Sequence, residues 1–246
     1  MSKVFTNITD AIAEVQDGAV IAIGGFFAAG VPRHLLRALI AKGVKNLTLA
    51  SGAGALVGAS EEMQALVRNR QIKKFIDSYA LSRSARKGLQ DPFEQQVRAG
   101  AIELEIHPLG TLAEKLRAAG AGIPAFFTPT GAGSVVEETV ITNYPDNTQP
   151  KEVRVIQGTK CVLEYAMKPD FAFIHAYVGD LQGNLRYRKT ARNFNHVMAT
   201  AAGVTIAEVE NLVEPGKLDP DDIHTPGIYV HRILKVERMS YRVGID

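Results

Sequence analysis

The sequence predicts an α/β fold: an open, mostly parallel sheet with helices on both faces, carrying a small β-rich excursion. Three observations predict it. Short apolar runs suited to strands buried on both sides recur through the first half of the chain. Segments of helical periodicity separate them, and a strand, helix, strand order needs crossover connections and so parallel neighbours. Of 246 residues, 46% are hydrophobic, enough for one large core, so residues 1–246 are read as a single domain.

Taken in order, "VFTNITDAIAEVQDG" is an amphipathic start. Strands are then expected at "AVIAIGG", "NLTLAS", "IKKFIDSY", "AIELEI" and "IPAFFT". Between them fall helices at "PRHLLRALIAK", "SEEMQALVRN", "DPFEQQVRA" and "TLAEKLRAA". Pro32 suits a helix's first turn, where its missing N–H costs little. Thr111 followed by Glu114 reads as a capping box, with Gly120 as the helix stop. From residue 131 to 158 the pattern loosens, and "TNYPDNTQP" is turn chemistry in an exposed excursion. "KEVRVI" and "KCVLEYAM" form an expected hairpin, "DFAFIHAYV" a buried strand, "GDLQGN" a turn into "LRYRK", and "TPGIYVHRILKVE" a terminal strand. No internal repeat or low-complexity tract interrupts the chain.

Composition excludes several classes. The net charge of +2 arises from 28 basic and 26 acidic residues spread through the chain. No dense basic stripe is available to read a phosphate backbone, so no nucleic-acid partner is expected. The first residues lack the apolar run of a signal peptide, and no segment reaches the roughly 18 apolar residues of a membrane span. The single Cys161 cannot form an internal disulfide and fits a reducing compartment. A cytoplasmic location is the expectation.

Two glycine-rich elbows carry the functional question. The second, "NLTLASGAGALVGASEE", places Gly52, Gly54 and Gly58 between a strand and a helix, with Asp77 near the offset of a ribose-binding acid. Its last spacing is one residue too long, and a strand–helix unit precedes it, so a plain turn is the better reading than nicotinamide binding. The first elbow, "DGAVIAIGGFFAAGVPRHLLRALI", concentrates Gly24, Gly25, Gly30 and Pro32 before a helix. Missing side chains permit either a tight corner or close approach to an acyl or phosphate group at the helix N-terminus. The residues alone leave both open.

Other candidates have quieter readings. Six histidines are present, and His107, His175, His196, His224 and His231 lie in no metal-ligand spacing, so no metal is expected. His175, within "FAFIHAY", reads as a satisfied core histidine. Arg186, Arg188, Lys189 and Arg192 alternate with Leu185 and Tyr187, the pattern of a solvated strand face, although a carboxylate or phosphate partner is the alternative. Glu137 and Glu138 read as surface carboxylates.

Asp17, Gly18, Ile21, Gly24, Gly25, Phe26, Gly30 and Pro32 together resemble the D-G-x-x-I-x-x-G-G-F-x-x-x-G-x-P signature of family I coenzyme A transferases, specifically the A (alpha) subunits of enzymes that use 3-oxoacids. The likeness continues through "GTLAEKLRAAGAGIPAFFTPTGAGSVVEE", "PDFAFIHAYVGDLQGNLRYRKTARNFN" and "ENLVEPGKLDPDDIHTPGIYVHRI", nearly the whole chain. The resemblance implies a CoA-transferase-like fold and transfer of coenzyme A from an acyl-CoA to a small 3-oxo or dicarboxylic acid. It implies ping-pong chemistry on a glutamate carboxylate that is acylated and then forms an enzyme–CoA thioester.

That glutamate lies, in the family, within a Ser-Glu-Asn-Gly type motif of the B subunit. No such tetrad occurs here; Ser60-Glu61-Glu62-Met63 and Val136-Glu137-Glu138-Thr139 do not match it. No catalytic nucleophile is therefore expected in this chain. The implied partners are a B subunit, in a heterodimer or heterotetramer, together with acyl-CoA and carboxylic acid substrates. Coenzyme A is implied as a substrate, with no permanently bound cofactor. Gly24, Gly25, Phe26, Phe27, Ala28, Ala29 and Gly30 are implied to form the coenzyme A loop near the partner. The family's Pro-Gln-Gly-Thr-Leu segment reads Pro108-Leu109-Gly110-Thr111-Leu112, so Leu109 occupies an oxyanion-donor position without a donor. That departure keeps two alternatives: part of a CoA-transferase-like hydrolase or ring-opening complex, and a non-catalytic scaffold of the same fold. A nicotinamide oxidoreductase ranks below them.

Overall fold

The computed structural model describes residues 2–52, 60–79, 91–144 and 149–239. After a short helix α1 (Ile8–Ala11), four strand–helix units follow. Strands β1 (Val20–Ile23), β2 (Leu47–Ser51), β3 (Ile72–Asp77) and β4 (Glu103–Ile106) lead toward helices α2 (Arg33–Lys42), α3 (Glu61–Arg68), α4 (Pro92–Arg98) and α5 (Leu109–Gly120). Local chemistry sets the ends of these helices. Ser60 Oγ accepts from Met63 N, and Asp91 accepts from Phe93 N ahead of Pro92. Gly43 closes α2 in the left-handed conformation, at φ 74°.

The rest of the chain comprises β5 (Ala125–Thr128), α6 (Val135–Glu138), β6 (Ile141–Thr142), β7 (Val153–Ile156), β8 (Thr159–Tyr165), β9 (Phe171–Asp180), β10 (Leu185–Arg186), α7 (Asn195–Ala201), β11 (Val204–Val213) and β12 (Arg232–Lys235). The main sheet runs β12-β11-β9-β1-β2-β3-β4-β6, with β10 beside β9. Neighbours from β12 to β4 are parallel, while β6 on β4 and β10 on β9 are antiparallel. The chain therefore makes the expected mostly parallel sheet, closed at one edge by a short antiparallel strand.

Strand alternation divides the core between the two faces of this sheet. Ile21, Ile23, Leu49, Phe75, Phe171, Phe173 and Ile206 pack against Leu35, Leu36, Leu39, Met63, Leu66 and Phe93 from α2, α3 and α4. On the opposite face, Ala22, Ala172, Ala176 and Ala207 meet Leu116 of α5 and Met198, Ala199 and Ala201 of α7. Large side chains build the first layer; alanines let the helices of the second come close. Gly120 shows how close, since a methyl group there would lie 2.6 Å from Thr200 Oγ1.

Several sequence expectations change. "IPAFFT" does form a strand, β5, but it leaves the parallel sheet and joins a separate antiparallel sheet in the order β5-β8-β7. Apolar content did not distinguish the two destinations. The β7–β8 hairpin forms as expected, turning at Gln157 and Gly158, φ 48° and 78°. A buried ion triad braces this small sheet: Glu164 of β8 lies 2.8 Å from Lys115 of α5 and also pairs with Lys151. Burial pushes the Glu164 carboxyl up, but the two ammonium groups more than offset this and lower it.

The capping box is not formed. Helix α5 begins three residues earlier than that reading required, at Leu109, with Pro108 as a cap without a side-chain bond; Thr111 sits inside the helix and Glu114 pairs instead with Arg117. Pro32 precedes α2 as its cap residue and does not enter the first turn. "TPGIYVHRILKVE" is extended only at β12, after a 3-10 turn at Gly227–Tyr229. The longest omission is β11. Glu208, Glu210 and Asn211 interrupt its apolar run, so it does not read as a central strand although it lies between β9 and β12.

Candidate active site at the carboxyl edge of the sheet

The parallel register brings the carboxyl ends of β1 to β4 level: Ile23 pairs with Ser51, Ala50 with Ile76, and Asp77 with Ile106. Open α/β sheets bind ligands at such an edge. The elbow, residues 24–30, leaves β1 there, and Leu109 follows β4 there. Three strand spacings separate their origins, about 14 Å.

Each elbow glycine has a cause inside the chain. A methyl group on Gly24 would lie 1.9 Å from Asn195 Oδ1. Gly25 has φ 114°, and its methyl group would be 2.7 Å from Val31 Cγ2; Gly30 has φ 71° and would meet Ala191 Cβ at 2.7 Å. Between them Phe26 and Ala29 exchange two backbone hydrogen bonds of 2.8 Å, which closes a turn over Phe27 and Ala28. Phe27 takes φ 50°, a conformation that costs energy for a residue with a side chain. Its ring meets Phe26 edge-on at 4.8 Å, and both rings are half-buried. Ala28 is buried, 8% exposed. The tight-corner reading is thus part of the answer, because the glycines accommodate neighbouring side chains.

Asn195, the first residue of α7, is wholly buried. Its Oδ1 accepts from His175 N at 3.1 Å, while Nδ2 donates to Gly30 O at 3.0 Å and to Ala191 O at 2.7 Å. The start of α2 has a second support. Glu208 Oε2 accepts from Leu35 N at 2.9 Å, in the helix's first turn, and its Oε1 lies 3.0 Å from His175 Nδ1. His175 Nε2 also faces Glu210 Oε1 at 3.4 Å. His175 is 7% exposed, so the core-histidine reading describes its setting. Burial pushes its pKa down, but Glu208 and Glu210 outweigh that and raise it.

Leu109 is different. It is 47% exposed, and among the described residues nothing lies within 4 Å of a methyl group placed on Gly110. Nearby, His107 Nε2 lies 2.6 Å from Glu105 Oε1. Burial raises the Glu105 carboxyl, but His107 and Lys74 hold it down at about 2. Thr111 Oγ1, Asn193 Oδ1 and His196 Nδ1 are buried without a hydrogen-bond partner among the described residues.

The remaining candidates do not converge on this edge as ligands. At the second elbow, a methyl group on Gly52 would strike the Phe194 ring at 2.4 Å; Gly54 and Gly58 lie outside the described residues. Asp77 Oδ1 accepts from Ser78 N and Tyr79 N, closing its own strand end. His224 Nδ1 and His231 Nδ1 accept from Tyr187 N and Thr205 N. Among the described residues no group of three or more His, Cys, Asp or Glu could hold a metal ion. Leu185 and Tyr187 are buried while Arg186 and Arg188 are exposed, as the solvated-face reading requires. Arg186 lies 3.3 Å from Asp222, and Arg188 stacks 4.8 Å from the centre of the Tyr177 ring. Lys189 and Arg192 leave that face in a 3-10 turn.

Sequence reasoning missed Asn195 and Glu208. A signal existed for Glu208: it stands two residues after Ile206, a core residue on the same face of the strand. Asn195 had none, because an asparagine at a helix start ordinarily caps its own helix.

The family described as Coenzyme A transferase matches residues 5–236. The chain is 43% identical, over 94% of its length and 90% of the relative's, to the A subunit of the succinyl-CoA:3-ketoacid coenzyme A transferase from Xanthomonas campestris pv. campestris. It is 39% identical to the A subunit of a probable succinyl-CoA:3-ketoacid coenzyme A transferase from Mycobacterium tuberculosis, over 99% of this chain and 97% of that one. Among solved structures, glutaconate coenzyme A-transferase from Acidaminococcus fermentans superposes with a TM-score of 0.76 at 25% identity, covering 96% of this chain and 76% of the other. A parallel sheet with its glycine elbow at the carboxyl edge, matched over almost its full length, places this chain in the coenzyme A transferase family.

Proposed function

We propose that this chain is the A subunit of a heteromeric CoA transferase that moves coenzyme A between an acyl-CoA and a small 3-oxo or dicarboxylic acid, with succinyl-CoA and a 3-ketoacid as the first pair to test. The observation that carries the reading is the match, over nearly the whole chain, to relatives named as the A subunits of such enzymes. A name of that form implies a second subunit, to which we assign the nucleophilic glutamate. The carboxylates here support that assignment. Glu62 is held by Arg33 and Arg37, each at 2.9 Å; Glu164 by two lysines; Glu208 by His175 and a helix end. Glu137 accepts from Gly133 N at 2.6 Å and pairs with Lys160 at 2.8 Å, which lowers its pKa. A carboxylate so engaged is a poor free nucleophile.

In this reading residues 24–30 border the coenzyme A thioester, and the partner's glutamate attacks its carbonyl carbon. Leu109, exposed on the same edge, meets the acyl chain or the partner; the oxyanion is held by other donors, such as backbone N–H groups. Coenzyme A is a substrate, and the proposed reaction needs no resident cofactor. The two core layers share one sheet, which supports a single domain. Among the described residues no helix is long and apolar enough to cross a membrane; with one cysteine, Cys161, unpaired, a cytoplasmic complex is the reading we favour.

The test is reconstitution. The isolated chain with succinyl-CoA and acetoacetate should give no acetoacetyl-CoA, and addition of the partner subunit should restore transfer. Robust turnover by the isolated chain, abolished by Glu138→Gln, would sink the half-site reading.

A further inference from the structure

We propose that Asn195 is a positioning residue for the acyl-CoA loop: its buried carboxamide holds the entry and the exit of the elbow in one shape before any ligand arrives. This rests on the reading that residues 24–30 lie at the coenzyme A site. One amide reaches four places. Its oxygen is seated against Gly24 Cα, where a methyl group would lie 1.9 Å away, and accepts from His175 N of β9. Its nitrogen donates to Gly30 O, at the exit of the elbow, and to Ala191 O, in the 3-10 turn Lys189–Arg192.

The local helix does not explain this side chain. Phe194, the cap residue of α7, makes no side-chain capping bond, and the asparagine beside it turns away from the helix end to bind three other segments. Only a carboxamide fits. Two carbonyl oxygens need two N–H donors from one atom, and a backbone N–H needs an acceptor on the other side. Aspartate has the shape but would set an oxygen against both carbonyls. Because Phe27 is held at φ 50°, the elbow stores strain that its surroundings must sustain. A loop held in its binding shape loses less freedom on binding, so the effect belongs to acyl-CoA and not to the acid acceptor.

The experiment combines hydrogen exchange and kinetics on the chain assembled with its partner subunit. The variants are Asn195→Asp, Asn195→Ala and Asn195→Ser, with Leu66→Ala, in the α3 core, as a control for lost stability. We expect faster exchange in the peptide covering residues 24–31 in all three Asn195 variants. We also expect a KM for succinyl-CoA raised about tenfold or more, a KM for acetoacetate changed less than about twofold, and Asp as harmful as Ala. Serine, keeping one donor, should fall between. Leu66→Ala should lower the melting temperature without moving the KM for succinyl-CoA.

A folded Asn195→Asp complex with wild-type KM and kcat would overturn the proposal, as would an equal KM shift in Leu66→Ala. Failure of all three Asn195 variants to fold would also count against it, because the role would then be structural. If succinyl-CoA leaves elbow exchange unchanged in the wild-type complex, the coenzyme A reading of the elbow fails first, which separates the two failures.

Discussion

Two places on the same sheet edge contrast sharply: the elbow after β1 and the start of α5 after β4. At the elbow nearly every feature is dictated from inside the chain. Asn195 occupies the space that Gly24 leaves, Ala191 occupies that beside Gly30, and Glu208 caps the helix that follows. At Leu109 the described residues impose no such constraint; the side chain is 47% exposed, and none of them lies within 4 Å of a methyl group placed on its neighbour Gly110. Among the described residues, a residue's identity is explained by its own chain in the first place and not in the second. The elbow can therefore keep one shape across substrates, while the position of Leu109 is where an acyl chain or partner can impose its chemistry.

The largest expected effect tests whether the elbow is held from within. Glu208→Ala removes the acceptor for Leu35 N and the carboxylate beside His175, and should cost about 3 kcal/mol. Chemical denaturation should show it as a shifted midpoint at unchanged slope. A loss below about 1 kcal/mol would mean that the helix start is supported elsewhere.

Gly24→Ala should cost about 1–3 kcal/mol by overpacking. In an Asn195→Ala background, where the amide is gone, the same substitution should cost almost nothing further. Additive costs in this double-mutant cycle would show that the two residues do not compete for the same space.

A smaller effect follows from pH. The His175 pKa is raised above its ordinary 6.5 by Glu208 and Glu210. Its contribution is fully present below 6.5 and is lost as pH rises through the higher folded value. The melting temperature should decline as pH rises above His175's ordinary 6.5, and Glu208→Gln should flatten that slope. An unchanged slope would remove His175 as the titrating group.

Leu109→Gln should change stability least, within about 0.5 kcal/mol, as exposed substitutions do. The comparison predicts a change in selectivity instead: affinity for longer acyl-CoAs falls while small ones are kept, because an amide facing an apolar chain is left unpaired. Steady-state constants for acetoacetyl-CoA and a longer homologue decide this. Faster transfer with all substrates would show that an oxyanion donor was what the position lacked.

The strand–helix alternation was legible because strands buried on both faces are short continuous apolar runs, as "AVIAIGG" and "DFAFIHAYV" are. The elbow was legible as a glycine cluster before a proline. β5 was misassigned because "IPAFFT" is equally apolar for either sheet, and only the braces from Lys115 and Lys151 to Glu164 mark where β8 and its partner strand dock. β11 was missed because Glu208 and Glu210 break its apolar pattern. Glu208 is buried through His175 in a neighbouring strand, 33 residues away, and Glu210 faces the same imidazole, 35 residues away.

By itself the sequence determined the class of fold, the hairpin of β7 and β8, and the elbow with its family signature, all properties of periodicity and of residues adjacent in the chain. The tertiary structure alone decided what each elbow glycine accommodates and which carboxylate caps α2. It also decided that one asparagine, 165 residues from Gly30, holds the elbow's exit. The reason is physical: backbone preference and amphipathic period act over a few residues, whereas a buried polar group is specified by the partners that replace its water, and those come from distant segments.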